Sequence, residues 1–268
     1  MSAIILTGAF SACSTNGGTQ KKEPRKVAVQ TYTFNQYTLE ETVGHLKVIG
    51  IDAIECWNGQ RLSAKYPNVK FNQGMNAEQR KFAKEILKGF KLISYGVINA
   101  NNEAELKSIC EFAKEFSIPM IITEAPKDQL PLWEKYCQDY NLKMAIHDHQ
   151  KGSGNEYYRP ELVMELVKDY KNIGICCDNG AWSRSGLDCV KSFKIVEGKI
   201  FEIHFKDQKV FDNLQSPATI YGQGVLDMKG MLAELDRQGY NGYFVIEHGD
   251  KGDTPAIVKA DLEFLRNN

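Results

Sequence analysis

The sequence predicts a single (β/α)8 barrel, also called a TIM barrel. Short β-like runs alternate regularly with amphipathic helix patterns over residues 27–268. Eight pairs of one strand and one helix fit this length, because barrels of this type typically have about 250 residues. Some strand runs are apolar at consecutive positions, such as residues 120–122 and 173–177. Such runs indicate a parallel sheet that is buried on both faces.

The predicted strands and helices follow one another in strict alternation. The strands are residues 27–32, 51–56, 92–97, 120–123, 143–146, 173–177, 200–203 and 243–246. The helices are residues 39–49, 77–88, 103–116, 130–140, 160–170, 187–196, 225–238 and 255–265. Apolar residues three and four positions apart, such as Leu106, Ile109 and Ala113, identify the helices. Gly50 ends the first helix, and Pro119 precedes the fourth strand.

A doubly wound sheet is the alternative arrangement of the same elements. That fold usually carries a glycine-rich phosphate-binding turn directly after its first strand. Residues 32–35 occupy this position here and read Tyr-Thr-Phe-Asn, while Gly222-Gln223-Gly224 lies far downstream. The barrel is therefore the predicted fold.

Composition excludes several classes of protein. The 268 residues include 33 Lys and Arg and 34 Asp and Glu, which gives a formal charge of -1. This balance lacks the basic footprint of a nucleic-acid-binding protein, so no nucleic-acid partner is expected. No apolar run approaches the roughly 18 residues of a transmembrane helix. Aromatic and aliphatic residues are spread evenly from residue 27 onward, which excludes a disordered chain.

Residues 1–26 are predicted to be a leader and linker. The apolar stretch 3–10 and Ser11-Ala12 precede Cys13, and a polar, basic segment follows over residues 14–26. This order resembles a bacterial lipoprotein signal peptide, although no Lys or Arg precedes the apolar stretch. The resemblance implies a lipoprotein of the periplasm or cell envelope, attached to the membrane only through a lipid on Cys13. The alternative is an ordinary disordered tail on a cytoplasmic protein. The other six cysteines lie in or beside apolar stretches and are predicted to be buried thiols.

Acidic residues and histidines follow most of the predicted strands. They are Glu55 at the end of strand two, Glu124 after strand four, His147-Asp148-His149 after strand five, Asp178 after strand six, His204 after strand seven, and Glu247-His248 after strand eight. The carboxyl ends of the strands of a barrel meet at one mouth, where catalytic groups lie. We therefore expect a ring of carboxylates and imidazoles at this mouth.

Such a ring can bind one divalent cation. Carboxylate oxygens and neutral imidazole nitrogens suit Mn, Co, Zn or Mg, and no cysteine is among these residues. Two carboxylates on opposite sides of the cation can also donate and accept protons, because burial and charge move their pKa values apart.

Several motifs together resemble those of the xylose isomerase-like TIM barrels, the sugar phosphate isomerase/epimerase superfamily. They are Glu124, the His147-Asp148-His149 cluster, Asp178 in Asp-Asn-Gly-Ala-Trp, His204 in His-Phe-Lys-Asp, Gly222-Gln-Gly-Val, and Glu247 in Val-Ile-Glu-His. This superfamily includes ketose 3-epimerases, inosose dehydratases, hydroxypyruvate isomerases and, more distantly, endonuclease IV. The resemblance covers essentially the whole chain after Lys26.

The resemblance implies that Asp178, His204 and Glu247 are metal ligands and that Glu247 is also an acid/base. The epimerases have a glutamate at the end of strand five, where this chain has His147. Glu124 on the adjacent strand is expected to restore a carboxylate there. The predicted ligands are Glu124, His149, Asp178, His204 and Glu247, and the predicted catalytic residues are Glu247, Glu124 and His147.

Four further residues are predicted to contact substrate. Lys206 matches a family lysine near the substrate and suits an anionic or hydroxyl oxygen. Trp57 and Trp182 follow strand ends, where an indole can stack on a sugar ring or close the barrel mouth. Glu55 is expected either to hold substrate hydroxyls or to form a structural ion pair. Ala181 stands where the family often has a histidine, which removes one substrate contact.

These features predict an enzyme that moves a proton at a carbon next to the carbonyl of a sugar-derived keto compound. A metal would polarise that carbonyl and stabilise the enediolate. The predicted activity is a sugar isomerase or epimerase; the alternatives are a keto-sugar or inosose dehydratase and a non-catalytic sugar-binding barrel at the cell envelope. Endonuclease chemistry is disfavoured, since it uses several zinc ions and many histidines and this chain has 5. Assembly as a homo-oligomer is compatible with this prediction.

Overall fold

The computed structural model describes residues 24–155, 157–249, 252 and 254–268. The predicted leader with Cys13 lies outside these residues. Six cysteines lie within them, and all six are free and buried. No helix in this part of the chain is long and apolar enough to cross a membrane.

Eight parallel strands form a closed barrel, which confirms the predicted fold and excludes the doubly wound sheet. The strands are β1 (Lys26–Gln30), β2 (Ala53–Cys56), β3 (Lys91–Tyr95), β4 (Met120–Thr123), β5 (Lys143–His147), β6 (Ile173–Asp178), β7 (Ile200–Phe205) and β8 (Tyr243–Ile246). β1 closes the sheet, because Val29 is in register with Ile54 of β2 and with Ile246 of β8.

Helices surround the barrel and connect its strands. They are α1 (Leu39–Ile49), α2 (Ala77–Ile86), α3 (Glu103–Glu115), α4 (Leu130–Tyr140), α5 (Pro160–Val167), α6 (Asn179–Arg184), α7 (Cys189–Ile195), α8 (Met228–Arg237) and α9 (Thr254–Asn267). Helix α1 shows how the sequence sets these boundaries. The Thr38 hydroxyl accepts from the Glu41 amide, and the Glu41 carboxylate accepts from the Thr38 amide. Gly50 ends the helix with a φ of 85°, a left-handed conformation that suits glycine.

The hydrophobic core lies in two places. The larger cluster packs the helices against the outer face of the barrel. Inside the barrel, one small cluster contains Ala28, Ala53, Ile93 and Val245, and another contains Ile122, Ala145 and Cys176. Buried polar residues also point into the interior, among them Glu55, Glu202 and His204. Burial of such groups requires partners, and these are described with the site below.

The structure contains short elements that the sequence pattern does not predict. One hairpin pairs Arg61–Ser63 with Tyr66–Lys70, and another pairs Asp207–Gln208 with Ala218–Thr219. Helix α6 directly follows β6, and the 3-10 helix Thr31–Phe34 ends β1 earlier than the predicted residue 32. These elements are too short for a hydrophobic period to reveal them.

Candidate active site

Four side chains converge at the mouth of the barrel from four neighbouring strands. They are His147 on β5, Asp178 on β6, His204 on β7 and Glu247, which directly follows β8. Each offers one potential ligand atom, and these atoms all lie within 4.8 Å of one another. The predicted group Asp178, His204 and Glu247 is therefore brought together, and His147 completes a set of four.

Several polar atoms of this four-residue cluster lack hydrogen-bond partners, and their arrangement suits binding of a cation. His147 Nε2, His204 Nδ1 and Glu247 Oε2 are buried, and none has a hydrogen-bond partner among the described residues. His204 Nδ1 lies 2.8 Å from Glu247 Oε2 without the geometry of a hydrogen bond. His147 Nε2 lies 3.8 Å from Asp178 Oδ2. Buried polar atoms without partners are costly, and a divalent metal with mixed nitrogen and oxygen ligands would satisfy all of them.

Glu55 holds the His204 ring from the barrel interior. His204 Nε2 lies 2.6 Å from Glu55 Oε2, and Gln30 donates to the other Glu55 oxygen at 3.1 Å. Because the Glu55 carboxylate accepts from Nε2, Nδ1 is left as the ring nitrogen that faces Glu247 and can bind a cation. Glu55 is fully buried and is not part of the cavity wall, and it forms an ion pair with His204, the structural one of its two predicted roles.

The charges around His204 favour a cation at its free nitrogen. Burial alone would lower the pKa of His204, but the neighbouring Cys176 and the carboxylates of Glu55 and Glu247 raise it well above its usual range. Burial likewise would raise the pKa of Glu55, but the His204 imidazole outweighs burial and holds this pKa below its usual value. A positive charge on Nδ1, whether a proton or a metal ion, is thus stabilised by this environment.

Lys206 links two of the four candidate ligands. Its ammonium nitrogen lies 2.8 Å from Asp178 Oδ2 and 2.9 Å from Glu247 Oε2. Burial would raise the pKa of both carboxyl groups, but the Lys206 charge outweighs burial, and the net pKa is below its usual value for Asp178 and well below for Glu247. Both groups are therefore ionised at neutral pH.

Helix α6 fixes the position of Lys206. The Asn179 side chain donates to the Lys206 carbonyl at 2.6 Å and accepts from the Lys206 amide at 2.8 Å. A Cβ on Gly180 would lie 2.7 Å from Lys206 Cδ, so glycine leaves the space that the lysine occupies. In the Asp-Asn-Gly motif, Asp178 is a candidate ligand and Asn179 forms hydrogen bonds with the backbone of Lys206. Gly180 leaves space for the Lys206 side chain.

Glu124 is outside the four-residue cluster and contacts it through His147. Its Oε1 is 3.1 Å from His147 Nδ1 and 3.4 Å from His149 Nδ1, and Asn155 donates to its Oε2 at 3.3 Å. Burial would raise the pKa of Glu124, but hydrogen bonding and charge from His147 outweigh it and lower this pKa. In this structure Glu124 and His149 contact each other and are not among the four converging residues, so their assignment as ligands stays a prediction.

A polar cavity of about 450 Å³ opens above the cluster. Its walls include Lys206, His149, Arg184 and Tyr32. The sequence does not mark Arg184 as a site residue, because nothing in the motif Asp-Asn-Gly-Ala-Trp points to a residue that follows it by two positions.

The two predicted tryptophan contacts differ in placement. Trp57 is half-buried and packs edge-on against Tyr32, with ring centroids 5.1 Å apart. Trp182 is fully buried against Phe193, with ring centroids 5.0 Å apart. Neither tryptophan lines the cavity. The burial of Trp182 favours the packing role over stacking on a sugar.

The structure explains the Gly222-Gln-Gly-Val motif through Asp207, which is not among the predicted site residues. Asp207 Oδ2 accepts from the amides of Gly222 at 3.0 Å and Gly224 at 2.8 Å. A Cβ on Gly224 would lie 2.2 Å from Asp207 Oδ1. Asp207 therefore organises the long loop between β7 and α8, and the available signal was an aspartate at a strand end followed by a Gly-X-Gly sequence.

A barrel with carboxylates and imidazoles converging at its mouth defines a class of α/β enzymes with a metal-compatible site. The model of the family described as xylose isomerase-like TIM barrel matches residues 44–268. The chain belongs to this family, as its motifs predict.

Solved structures of similar fold carry varied descriptions. A putative uncharacterized protein from Parabacteroides distasonis is 28% identical with a TM-score of 0.72, and the match covers 91% of this chain and 98% of that one. The probable 3-DHS dehydratase AsbF from Bacillus anthracis, involved in petrobactin synthesis, is 17% identical with a TM-score of 0.69 and coverages of 91% and 99%. The 3-keto-D-glucoside 4-epimerase YcjR from E. coli is 16% identical with a TM-score of 0.69 and coverages of 91% and 100%. No curated protein matches the chain in sequence.

Proposed function

We propose that this protein is a metal-dependent isomerase or epimerase that transfers a proton at a carbon next to the carbonyl of a sugar or related keto compound. The observation that carries the proposal is the convergence of His147, Asp178, His204 and Glu247, whose unpartnered buried atoms face one another beneath a polar cavity. Family membership and the epimerase and dehydratase descriptions of similar structures support this class of chemistry.

The four converging residues would hold one divalent cation. Such a cation, when bound, supplies Lewis acidity that polarises a carbonyl and an adjacent hydroxyl of a substrate. Glu55 keeps His204 in the tautomer that such a site needs, through the 2.6 Å contact with its Nε2.

Glu247 is the proposed base for the proton on carbon. Its carboxylate is ionised because Lys206 and His204 hold its pKa well below the usual range. It borders the cavity, so a substrate there can bring a C–H bond to its free oxygen. The Lys206 ammonium donates a hydrogen bond to Asp178 Oδ2 and forms an ion pair with Glu247 Oε2, so it still has an N–H for a substrate oxygen.

His149, two residues after the end of β5, is the proposed second proton-transfer group. His149 is 46% exposed and lines the cavity, and its Nδ1 faces Glu124. Glu124 would orient the rings of both His149 and His147, and would stabilise the His149 ring as it takes up a proton. Isomerisation, epimerisation and dehydration share the first deprotonation and differ in the fate of the proton or hydroxide afterwards.

Solvent exchange tests the proposal directly. The purified chain, loaded in turn with Mn, Co, Zn or Mg, is incubated in deuterated water with aldoses, ketoses, inososes and 3-keto-glycosides. We expect deuterium at the carbon beside the carbonyl of at least one compound, and an at least about 100-fold slower exchange in Glu247→Gln. Product analysis then separates epimerisation, isomerisation and dehydration.

Glu85→Gln on the exposed face of α2 is the matched control and should exchange at the wild-type rate. Circular dichroism must show that Glu247→Gln is folded. Exchange by Glu247→Gln at the wild-type rate would contradict the role of Glu247, and absence of divalent-metal binding after reconstitution would contradict the whole proposal.

A further inference from the structure

Arg184 presents an unpaired guanidinium to the cavity. It is the last residue of α6 and lines the cavity together with Lys206 and Asp178. Its Nε is buried without a hydrogen-bond partner. Within residues 24–155, 157–249, 252 and 254–268, no hydrogen bond or ion pair to its guanidinium is found.

The other permanent cation of the cavity is already neutralised. Lys206 has two carboxylates within 3 Å, at 2.8 Å from Asp178 and 2.9 Å from Glu247. Arg184 makes no comparable contact, although its charge is close enough to contribute to lowering the pKa of Asp178. The guanidinium N–H groups of Arg184 can therefore bind a ligand, whereas the Lys206 ammonium is already paired with two carboxylates.

Two loops that wall the cavity are attached to the helix end at Arg184. The Asp212 amide donates to the Ser183 carbonyl at 2.9 Å, and the Lys151 amide donates to the Ser185 hydroxyl at 2.9 Å. These contacts fix the backbone on both sides of the arginine. The Asp212 carboxylate lies beside Gly186, where a Cβ would be 2.6 Å from its Oδ1, and forms no ion pair with Arg184. The backbone around the arginine is thus fixed in the wall of the cavity, and Asp212 on the adjacent loop does not neutralise its charge.

We propose that Arg184 binds an anionic group of the substrate, a carboxylate or a phosphate, and so makes the enzyme selective for acidic keto-sugars. The planar guanidinium offers Nε and a terminal nitrogen as parallel donors, a geometry that matches two oxygens of either group. An uncharged sugar would leave this partly buried charge without a counterion, whereas an anion compensates it. This inference rests on the proposed function, because it names the class of substrate for the same cavity.

Paired substrates test the selectivity. The deuterium-exchange assay is run with keto-sugars that carry a terminal carboxylate, the corresponding phosphate esters, and neutral keto-sugars of the same chain length. We expect the wild type to favour one anionic class, and Arg184→Gln to raise its KM for that class by about 10- to 100-fold. The KM and kcat for neutral compounds should stay within about twofold. Arg184→Lys should recover part of the loss, since it keeps the charge and lacks the two-pronged geometry.

A binding measurement keeps this inference separate from the proposed function. Inorganic phosphate is titrated calorimetrically into the metal-free full chain, so that a bound metal cannot contribute. Wild type should bind it, Arg184→Gln should bind it at least about tenfold more weakly, and Arg61→Gln, an exposed arginine outside the cavity, should bind as wild type does.

Phosphate binding that depends on Arg184, in a chain that exchanges no keto-sugar, would support the anion site and overturn the proposed function. Exchange on neutral keto-sugars with no preference for anions would support the proposed function and overturn the anion site. Equal KM values and equal phosphate affinities in wild type and Arg184→Gln would overturn the role of Arg184.

Discussion

His204 is the residue on which the site depends most. One ring nitrogen contacts Glu55 in the barrel interior at 2.6 Å, and the other faces Glu247 at the mouth at 2.8 Å. The interior contact decides which nitrogen carries the proton, and therefore which one can bind a metal. A histidine at a strand end becomes a directed ligand only because a second strand supplies the carboxylate behind it.

Replacing Glu55 should weaken metal binding while leaving the four ligands in place. We expect Glu55→Gln to lower the affinity for Mn or Zn by about 10- to 100-fold, the usual effect of losing a carboxylate that orients a ligating histidine. Competition with a metal-sensitive dye measures this affinity without reference to turnover.

The neighbouring Glu202 provides the control. Burial and the charge of Glu55 raise its pKa well above the usual range, so it is neutral where Glu55 is ionised. Glu202→Gln replaces one neutral group by another and should change metal affinity by less than about threefold. Equal effects of the two substitutions would contradict a specific role for Glu55.

At the scale of the element, local sequence predicts the ends of helices more accurately than it predicts short hairpins. The predicted bounds of α4 agree with the structure at both ends, and α1 has the predicted stop at Gly50. The hairpin of Asp207–Gln208 with Ala218–Thr219 depends instead on Asp207, whose carboxylate binds amides 15 and 17 residues away. No local pattern contains such a contact.

Helix α8 provides a prediction about pH. Glu234 accepts hydrogen bonds from Arg237 at 2.7 Å and Gln238 at 2.8 Å, and these bonds, led by Arg237, lower its pKa from 4.5 to about 2. A lowered carboxyl pKa stabilises the fold at pH values above the unfolded pKa, and the stabilisation disappears as the pH falls from about 4.5 toward 2.

We therefore expect Glu234→Gln to lower the free energy of unfolding by about 1 kcal/mol at pH 7, a modest value because Arg237 is half-exposed. The difference from wild type should shrink toward zero near pH 2. Urea denaturation across this pH range measures it, with Glu263→Gln on the exposed side of α9 as the control. A difference that persists unchanged at low pH would assign the effect to packing rather than to charge.

At the scale of the whole molecule, closure of the barrel creates the site. The four candidate ligands come from β5, β6, β7 and from the residue after β8, which are neighbours in the sheet. Parallel strands place all their carboxyl ends at one mouth, so residues up to 100 positions apart meet there. Asp178 and Glu247 bring two negative charges to this mouth, which Lys206 partly neutralises and a divalent cation would neutralise further.

A bound divalent metal should therefore stabilise the entire fold. At a free concentration about 100 times the dissociation constant, the gain is about 2.7 kcal/mol, or about 5–10 °C in Tm for a domain of this size. Differential scanning calorimetry with added Mn or Zn, and again after EDTA, measures the change. Glu247→Gln should reduce the gain, and a Tm that is the same with metal and with EDTA would contradict a metal site in this cluster.

The fold class, the order of the eight strands and the strand ends that meet at the mouth are all readable from the amino-acid sequence. They are readable because strand and helix periods are local and because a parallel barrel has only one mouth. The adjacent residues Glu247 and His248 show where this reasoning stops. Glu247 faces the cluster, whereas His248 contacts Asp261 of α9 at 2.5 Å. The tertiary structure alone decided that His147 joins the cluster, that Glu55 stands behind His204, and that Lys206 is paired while Arg184 is free, because each depends on distances between strands and loops that are far apart in the chain.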